Sequence, residues 1–370
     1  MSRFAPSLLV LAFCIRCGGD VLVVPPADSA SEVPVASREC ARAEENWSAI
    51  PSPVDDYFVR GGWTGEELIL WGITPKPHVG YRFRAATDTW RRMAPTPPLG
   101  REWPAHAAAV SSGKFFVWNH SGGAAYDWEA DAWSAMAPMG GEHPNGTWDP
   151  PTVGTSTHLL CLDGLYTDWG DEPAPNKMYE VRRDAWQVLP ERGAPAGVYA
   201  AAVVWADTEL LVWGGSLDAE PGGGPTNEGA RFDPRLQTWR PMSTINAPTP
   251  MGGPGSVWTG RWLFVWGGID AANNFRPEGG LYDPVRDEWR TVSRDGAPLE
   301  RAVAAWTGKK VILVGNQGDS YGIYDPQSDT WQPMMSPPFR LQLLGMQWDG
   351  CRLLVYGSDY LYIYQPPPDL

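Results

Sequence analysis

The chain has 370 residues, among them 41 glycines, 37 prolines and 21 tryptophans. Its 43 acidic residues outnumber its 29 basic residues and give a formal net charge of −14. Binding to nucleic acid or to an anionic membrane surface needs clustered positive charge, so this balance argues against both classes of partner. Glycine and proline mark turns, and many turns combined with many aromatic residues indicate an all-β fold of short strands.

The first 38 residues predict an export signal followed by a tether. Arg3 supplies a positive charge, and the apolar run from Phe4 to Ile15 is too short to span a bilayer. We assign residues 1–19 to the signal and residues 20–38, rich in Pro, Ala and Ser, to a flexible tether. These features predict a secreted or cell-envelope location. The alternative is a wrongly assigned start, with these residues forming a disordered extension.

Two cysteines near the end of this signal are candidates for lipidation. Cys17, followed by Gly-Gly-Asp, and Cys14 lie where bacterial lipoproteins carry their lipidated cysteine, and the segment resembles such proteins. A lipobox has a small residue before the cysteine, whereas Phe13 and Arg16 occupy that position here. Lipidation and simple signal cleavage therefore both stay open. Attachment to a membrane is expected only through such a lipid.

A tryptophan that recurs with similar neighbours divides residues 39–366 into repeated units. Its seven copies are Trp47, Trp90, Trp133, Trp186, Trp239, Trp289 and Trp331, spaced 43, 43, 53, 53, 50 and 42 residues apart. Six copies are preceded by an aromatic residue seven positions earlier, namely Phe83, Tyr126, Tyr179, Phe232, Tyr282 and Tyr324. Between the two lies turn chemistry such as YDPVRDEW at 282–289, in which Asp and Pro start a tight turn. Each unit therefore ends in a hairpin.

Two further strands precede each hairpin. Apolar runs such as LILWG at 68–72 and LFVWGG at 263–268 are typical of strands buried on both faces. Small-residue runs such as AHAAAV at 105–110 suit an innermost strand, where neighbouring units crowd around a central channel. The run HLLCLDG at 158–164 matches this pattern least well, and its Cys161 is expected to act as a small buried hydrophobe. Four antiparallel strands per unit and seven units predict an all-β, seven-bladed β-propeller.

The glycine pair after the second strand, the later aromatic residue and the final tryptophan resemble kelch repeats of the galactose oxidase and kelch superfamily. The resemblance covers roughly residues 40–365 and implies a kelch-like propeller. That superfamily includes enzymes, adaptors and lectin-like binders, so the resemblance implies no single function. Its galactose oxidase members use copper held by histidines, tyrosines and a thioether-forming cysteine. That set does not map onto this chain.

The two ends of the propeller are expected to share one blade. Trp47 has no preceding strands of its own, and no tryptophan strand follows Tyr364. Residues 45–50, around Trp47, would therefore supply the fourth strand of the seventh blade and remove the open sheet edges. Cys40 and Cys351 would then lie close together, and an oxidising destination favours a disulfide between them. Two buried thiols are the alternative.

Strand directions place the long connections on one face of the propeller. Variable loops on a rigid scaffold are where binding usually resides, and a mixture of carboxylates, amides and tryptophans suits a sugar. The alternative for each residue is an ordinary solvated loop. The candidate binding residues are Asp168, Trp169, Asp218, Glu220, Asp270, Asn273, Arg276, Trp103, His120 and His143, with Asp171, Glu172, Asn227, Asn274 and Glu142 beside them.

Nothing in the sequence identifies a catalyst, a metal site or a cofactor. The five histidines lack short metal-ligand spacing, and no nucleophile elbow or phosphate-binding loop is present. Arg101, Arg301 and Arg340 begin inner strands, where they would either enter the channel or bridge neighbouring blades. The favoured interpretation is a monomeric, non-enzymatic binding or scaffold module for a protein or glycan. The alternatives are a carbohydrate-active enzyme, epimerase-like or oxidase-like, and a purely structural envelope protein.

Overall fold

The computed structural model describes residues 40, 44–54, 59–72, 78–98, 107–119, 121–140, 150–162, 175–195, 198–217, 224–299, 302–315, 320–341, 343–367 and 370. All regular elements within these ranges are β-strands. They form seven four-stranded antiparallel sheets, which we call blades 1 to 7 in chain order. The prediction of an all-β, seven-bladed propeller is therefore confirmed.

In blades 1 to 6 the four strands follow one another in sequence, and the first strands of neighbouring blades contact each other around the axis. The strands of blades 1 to 3 are Val59–Trp63, Glu67–Gly72, Gly80–Arg84 and Thr89–Arg92; Ala107–Ser111, Lys114–Asn119, Gly122–Asp127 and Ala132–Met136; and Thr152–Gly154, His158–Cys161, Lys177–Glu180 and Ala185–Val188. Those of blades 4 to 6 are Ala202–Ala206, Glu209–Trp213, Gly229–Asp233 and Thr238–Pro241; Gly255–Trp258, Leu263–Trp266, Gly279–Asp283 and Glu288–Thr291; and Ala302–Trp306, Val311–Gly315, Tyr321–Asp325 and Thr330–Gln332. A separate two-stranded sheet pairs Val198–Tyr199 with Ser216–Leu217.

Blade 7 joins the two ends of the propeller. Its first three strands are Gly345–Trp348, Leu353–Tyr356 and Tyr360–Gln365, and its fourth strand, Asn46–Pro51, comes from the N-terminal side. This fourth strand begins one residue later than the sequence indicated. A disulfide with 5.4 Å between the two Cα atoms joins Cys40, ahead of that strand, to Cys351 in the turn before the second strand.

The hydrophobic core is divided among the seven joints between neighbouring blades, and each joint has its own cluster of buried side chains. At the joint that closes the ring, Leu68 and Phe83 of blade 1 pack against Leu354 and Leu361 of blade 7. The second strands are buried on both sides because each lies between two such clusters. This explains why they read as continuous apolar runs with no polar alternation. Cys161 is a fully buried thiol in one of them.

The repeated aromatic residue and its tryptophan lie directly opposite each other in the outer hairpin of every blade. Their ring centroids are 4.9 to 5.2 Å apart and the rings are tilted, as aromatic pairs prefer. The seven pairs are Phe83–Trp90, Tyr126–Trp133, Tyr179–Trp186, Phe232–Trp239, Tyr282–Trp289, Tyr324–Trp331 and Tyr364–Trp47.

A carboxylate two residues before the tryptophan ties five of these hairpins to the preceding blade. In blade 6, Asp329 accepts hydrogen bonds from the Tyr324 hydroxyl (2.6 Å) and from the backbone N–H of Ser293 in blade 5 (3.0 Å). The indole N–H of Trp331 donates to the Ser293 carbonyl (2.7 Å). We call this set of three bonds the joint clamp. The other carboxylates that make it are Asp131, Asp184, Asp287 and, in blade 7, Glu45.

Blades 1 and 4 lack the joint clamp. In both blades the aromatic residue is phenylalanine, and in blade 4 Gln237 also stands in place of the carboxylate. In blade 1, Phe83 has no hydroxyl, and the indole N–H of Trp90 hydrogen-bonds to no described atom. Asp88 holds the position of the clamp carboxylate, and it pairs with Arg352 of blade 7 at 3.0 Å. Arg352 also donates to the Ala85 carbonyl at 2.5 Å, so an arginine takes over part of the clamp at this joint.

Acidification is expected to weaken the joint clamps. The hydrogen bond from Tyr126 lowers the pKa of Asp131. Burial raises the pKa of Asp287, but hydrogen bonds from Tyr282 and Ser243 outweigh it and leave this pKa below its usual value. A carboxylate with a depressed folded-state pKa contributes stability above its unfolded pKa of about 4, and this contribution is lost as the pH falls through the folded value. The free energy of unfolding in urea should therefore decrease from about pH 5 to about pH 2.

The double variant Asp131→Asn with Asp287→Asn should lose stability less steeply over this range, because two of the titrating carboxylates are gone. Asp295→Asn, which changes an exposed carboxylate outside the clamps, serves as the control and should keep the parent's slope. Identical slopes in the parent and the double variant would contradict the assignment.

Candidate functional site

The antiparallel strand order separates the connections of the propeller onto two faces. The turns from first to second strand, such as residues 64–66, and from third to fourth strand, such as residues 85–88, lie on the short-turn face. The connections from second to third strand and from one blade to the next lie on the opposite face, the long-loop face. The described candidate binding residues, in blades 4 and 5, belong to connections of the long-loop face.

Most of these candidates fall outside the described residues. The ones concerned are Asp168, Trp169, Asp218, Glu220, Trp103, His120 and His143, together with Asp171, Glu172 and Glu142. The same holds for Cys14 and Cys17, for the signal and tether at residues 1–38, and for Arg101 and Arg301. The described candidates are Asp270, Asn273, Asn274 and Arg276 in blade 5 and Asn227 in blade 4.

The connection between the second and third strands of blade 5 is a tight loop organised by Asp270. One carboxylate oxygen of Asp270 accepts the backbone N–H groups of Ala272 (2.8 Å) and Asn274 (2.9 Å). Asn273 adopts a φ of 62°, a left-handed conformation that asparagine tolerates better than most residues. These bonds lower the pKa of Asp270, with the Asn274 N–H making the largest contribution. Asp270 and Asn273 therefore shape the loop.

A buried carboxylate beneath this loop connects three separate segments. Glu278 accepts hydrogen bonds from the backbone N–H and the hydroxyl of Thr249, in the connection from blade 4 to blade 5. It also pairs with Arg294, in the connection from blade 5 to blade 6. Arg276 lies between the two carboxylates, 3.7 Å from Asp270 and 3.9 Å from Glu278. The loop is thus fixed to both flanking connections by charge-assisted hydrogen bonds.

The blade 5 loop itself presents one aromatic and one cationic side chain at the surface. Phe275 is 44% exposed, and the side chain of Arg276 is 39% exposed. The backbone on both sides of Phe275 is held, since residue 275 bridges to Ile269 and the N–H of Arg276 donates to the Gly268 carbonyl (3.0 Å). The two side chains are therefore presented on a preorganised backbone.

The other described candidates have structural contacts. The backbone carbonyl of Asn227 accepts the indole N–H of Trp213 at 3.0 Å. Arg340 does not begin an inner strand as expected, because it is exposed and precedes the first strand of blade 7, Gly345–Trp348. His78 packs against Trp71 with 5.0 Å between ring centroids, and burial lowers the pKa of His158. Across the described ranges there is no group of three or more His, Cys, Asp or Glu side chains placed to hold a metal ion. The same ranges contain no helix long and apolar enough to cross a membrane.

Sequence reasoning missed Phe275 and the buried Glu278. A signal for Glu278 exists, because Glu-Gly recurs at the start of the third strand in blades 4 and 5, at 228–229 and 278–279. Phe275 carries no repeated signal.

Comparison with known proteins supports a kelch-like propeller and does not single out one activity or partner. No protein-family profile matches the chain. It is 25% identical over 285 residues to Kelch-like protein terF of Aspergillus terreus, a match that covers 70% of this chain and 58% of that protein. The chain therefore matches less than two thirds of the length of this relative. The similarity and the seven four-stranded blades together support a kelch-like propeller.

Removal of the Asp270 carboxylate should loosen the blade 5 loop without unfolding the propeller. In Asp270→Ala the N–H groups of residues 272 and 274 lose their acceptor, so hydrogen exchange of amides 269–276 should become faster. Asn273→Gly is the matched control, because glycine readily adopts the positive φ at this position. Mass spectrometry of exchange-labelled peptides measures both variants. Parent-like exchange in Asp270→Ala would show that the side chain does not organise the loop.

Proposed function

We propose that the chain is an exported, non-enzymatic binding or scaffold module that takes a protein or glycan partner on its long-loop face. A kelch-like propeller is a rigid frame for variable loops, and the class of function that fits it best is binding. The proposal also specifies export, a location in the cell envelope and the chemistry of the partner.

The arrangement around Phe275 carries the proposal of a binding face. Aromatic residues, phenylalanine included, and arginine are enriched in protein interfaces. Here both stand on a loop tied to its two neighbouring connections through Glu278. Because the loop is preorganised, little conformational entropy is lost when a partner binds.

A glycan is the partner class that the residue types favour. A sugar ring stacks its apolar face on an aromatic side chain, and its hydroxyls need charged or amide partners. Phe275 supplies such a ring, and the neighbouring Arg276 supplies N–H donors. A protein partner would use the same aromatic and arginine side chains. A glycan-binding measurement distinguishes a glycan partner from a protein partner.

A glycan array probed with the full chain tests this assignment. Selective binding is expected, and Phe275→Ser should weaken it about tenfold, the effect of losing one dominant contact. Val188→Ser removes an apolar residue that is also exposed, 56%, but lies on the outer strand of blade 3. This control should bind as the parent does. Binding that Phe275→Ser leaves unchanged would move the site away from blade 5, and failure of the folded parent to bind any glycan would leave the protein class.

Export is the second part of the proposal. The apolar run near the N-terminus supports it, and so does the disulfide between Cys40 and Cys351, because disulfides persist mainly in oxidising compartments. Lipidation at Cys17 or Cys14 would anchor the exported chain to a membrane. Signal cleavage alone would release it.

The intact mass of the protein recovered from the host's envelope and secreted fractions tests this part. We expect a chain shortened at the signal, with the Cys40–Cys351 bond intact before reduction. An added lipid mass that Cys17→Ser abolishes would identify the anchor, and Cys14→Ser is the matched control. Full-length, reduced protein in the cytoplasm would contradict export.

A further inference from the structure

The short-turn face carries a tryptophan at the same position of five successive blades. Each tryptophan lies at the end of the first strand and pairs with the aliphatic residue that starts the apolar run of the second strand. The five are Trp205, Trp258, Trp306, Trp348 and Trp63, in blades 4, 5, 6, 7 and 1. We call them the tryptophan arc. Because the first strands are innermost, the arc lies around the channel axis.

Blades 2 and 3 interrupt the arc with smaller residues. The corresponding positions hold Val110 and Gly154. A Cβ on Gly154 would collide with the Val110 carbonyl oxygen, so the inner strands of these two blades meet without a side chain between them. Two joints of the ring thus close without a tryptophan at this position, and joint packing alone does not account for the other five.

Each indole of the arc is half-buried. It packs against the joint with the preceding blade, and the rest of the side chain is accessible. Trp258 donates its N–H to the Asp207 carboxylate at 3.1 Å. Among the described residues, the other four indole N–H groups have no acceptor. Accessible aromatic rings line the grooves in which proline-rich segments bind, and an indole N–H there can donate to a backbone carbonyl.

The described chain starts next to this arc. Cys40 is bonded to Cys351, which lies in the turn directly after Trp348. Trp63 is the neighbouring member of the arc, since it packs against the cluster between blades 7 and 1 that contains Leu354. Residues 20–38, ahead of Cys40 and outside the described residues, are therefore covalently attached at the short-turn face beside two members of the arc.

The sequence of residues 20–38 suits the arc. It contains two valine–proline segments, VVPPA at 23–27 and EVPVA at 32–36. Proline favours the polyproline II conformation, so such segments lose little conformational entropy on docking. At about 3.1 Å per residue the segment spans roughly 60 Å, whereas a domain of this length has a radius of gyration of about 20 Å. It is therefore long enough to reach every tryptophan of the arc.

We propose that residues 20–38 dock on the tryptophan arc and cover the short-turn mouth of the channel. The three prolines of the segment stack on the accessible indoles. The N–H groups of Trp63 and Trp348, the members nearest to Cys40, donate to carbonyls of the segment. Because the disulfide holds the segment beside its site, docking is intramolecular, at an effective concentration of about millimolar. This favours the chain's own segment over a proline-rich partner in solution.

Docking of this segment leaves the long-loop face as the accessible face of the propeller. It needs only residues 20–38, which remain attached whether or not residues 1–19 are removed. In a lipid-anchored protein, the short-turn face would lie toward the anchor and the long-loop face away from it. That orientation rests on the proposed export, whereas the docking itself does not.

Hydroxyl-radical footprinting of the full chain, read by mass spectrometry for each tryptophan, tests the proposal. The triple variant Pro25→Ser, Pro26→Ser and Pro34→Ser removes the stacking residues. In it, Trp63 and Trp348 should be oxidised at least about threefold faster than in the parent, which corresponds to docking in at least about two thirds of the parent molecules. The variant should unfold at the parent's urea concentration, because all three changes lie outside the propeller.

A matched control is the triple variant Ala27→Ser, Ala30→Ser and Ala36→Ser, which introduces three serines into the same segment and keeps its prolines. The tryptophans of the arc should be oxidised in it at the parent's rate. Tyr360, 43% exposed on the long-loop face, is the reference and should react equally in all three proteins. Parent-like oxidation in the proline variant, or equal increases in both variants, would overturn the proposal.

A peptide of residues 20–38, added to the proline variant at about 1 mM, should restore the protection of Trp63 and Trp348. Equal protection by a peptide of the same composition in scrambled order would overturn the assignment to this segment. Protection in the parent that is lost on dilution would overturn it too, because a second copy would then supply the segment. None of these outcomes alters the glycan test of the long-loop face.

Discussion

The joint between blades depends on one residue of the preceding blade whose N–H and C=O are both bound from the next blade. At the joint of blades 5 and 6, Ser293 gives its N–H to Asp329 and receives the indole N–H of Trp331 on its carbonyl. An unpaired backbone group at such a joint would cost free energy comparable to a lost hydrogen bond. Since the tryptophan also fills the apolar joint, one residue type serves both packing and polar pairing.

The exceptions support this physical account. Where tyrosine is replaced by phenylalanine, as in Phe83, the carboxylate loses the hydroxyl donor and the indole N–H finds no described acceptor. At the ring closure, Arg352 pairs with the unused Asp88. The closing blade keeps the clamp with a glutamate, Glu45, whose carboxylate reaches the hydroxyl of Tyr364 and the N–H of Met335. The joint clamp therefore holds the two ends of the propeller together as at other joints, and the disulfide adds a covalent link.

A scaffold of this kind makes the two faces chemically independent. The strands fix the positions of all connections, so loop composition can change on one face without disturbing the other. On the long-loop face, the carboxylates of Glu278 and Asp270 accept the hydrogen bonds that shape the loop carrying Phe275. On the short-turn face, carboxylates accept the hydrogen bonds of the joint clamps, whereas Arg286 and Lys309 are exposed. The contacts proposed on the long-loop face therefore fall to Phe275 and Arg276 and not to its acidic side chains.

The sequence by itself determined the number of blades, the outer hairpins and the closure of blade 7, because repeated spacing encodes these local features. Trp47 and Tyr364 could be assigned to one blade since each lacked a partner in its own unit. Only the tertiary structure decided that Asp270 is a loop-forming residue and that Phe275 is exposed. It also decided that Asp207 and Asp287 are engaged while Arg286 is not. The physical reason is that exposure and hydrogen bonding of a side chain depend on contacts between blades. A repeat in the sequence does not tell which side chains of one blade are hydrogen-bonded by the neighbouring blade.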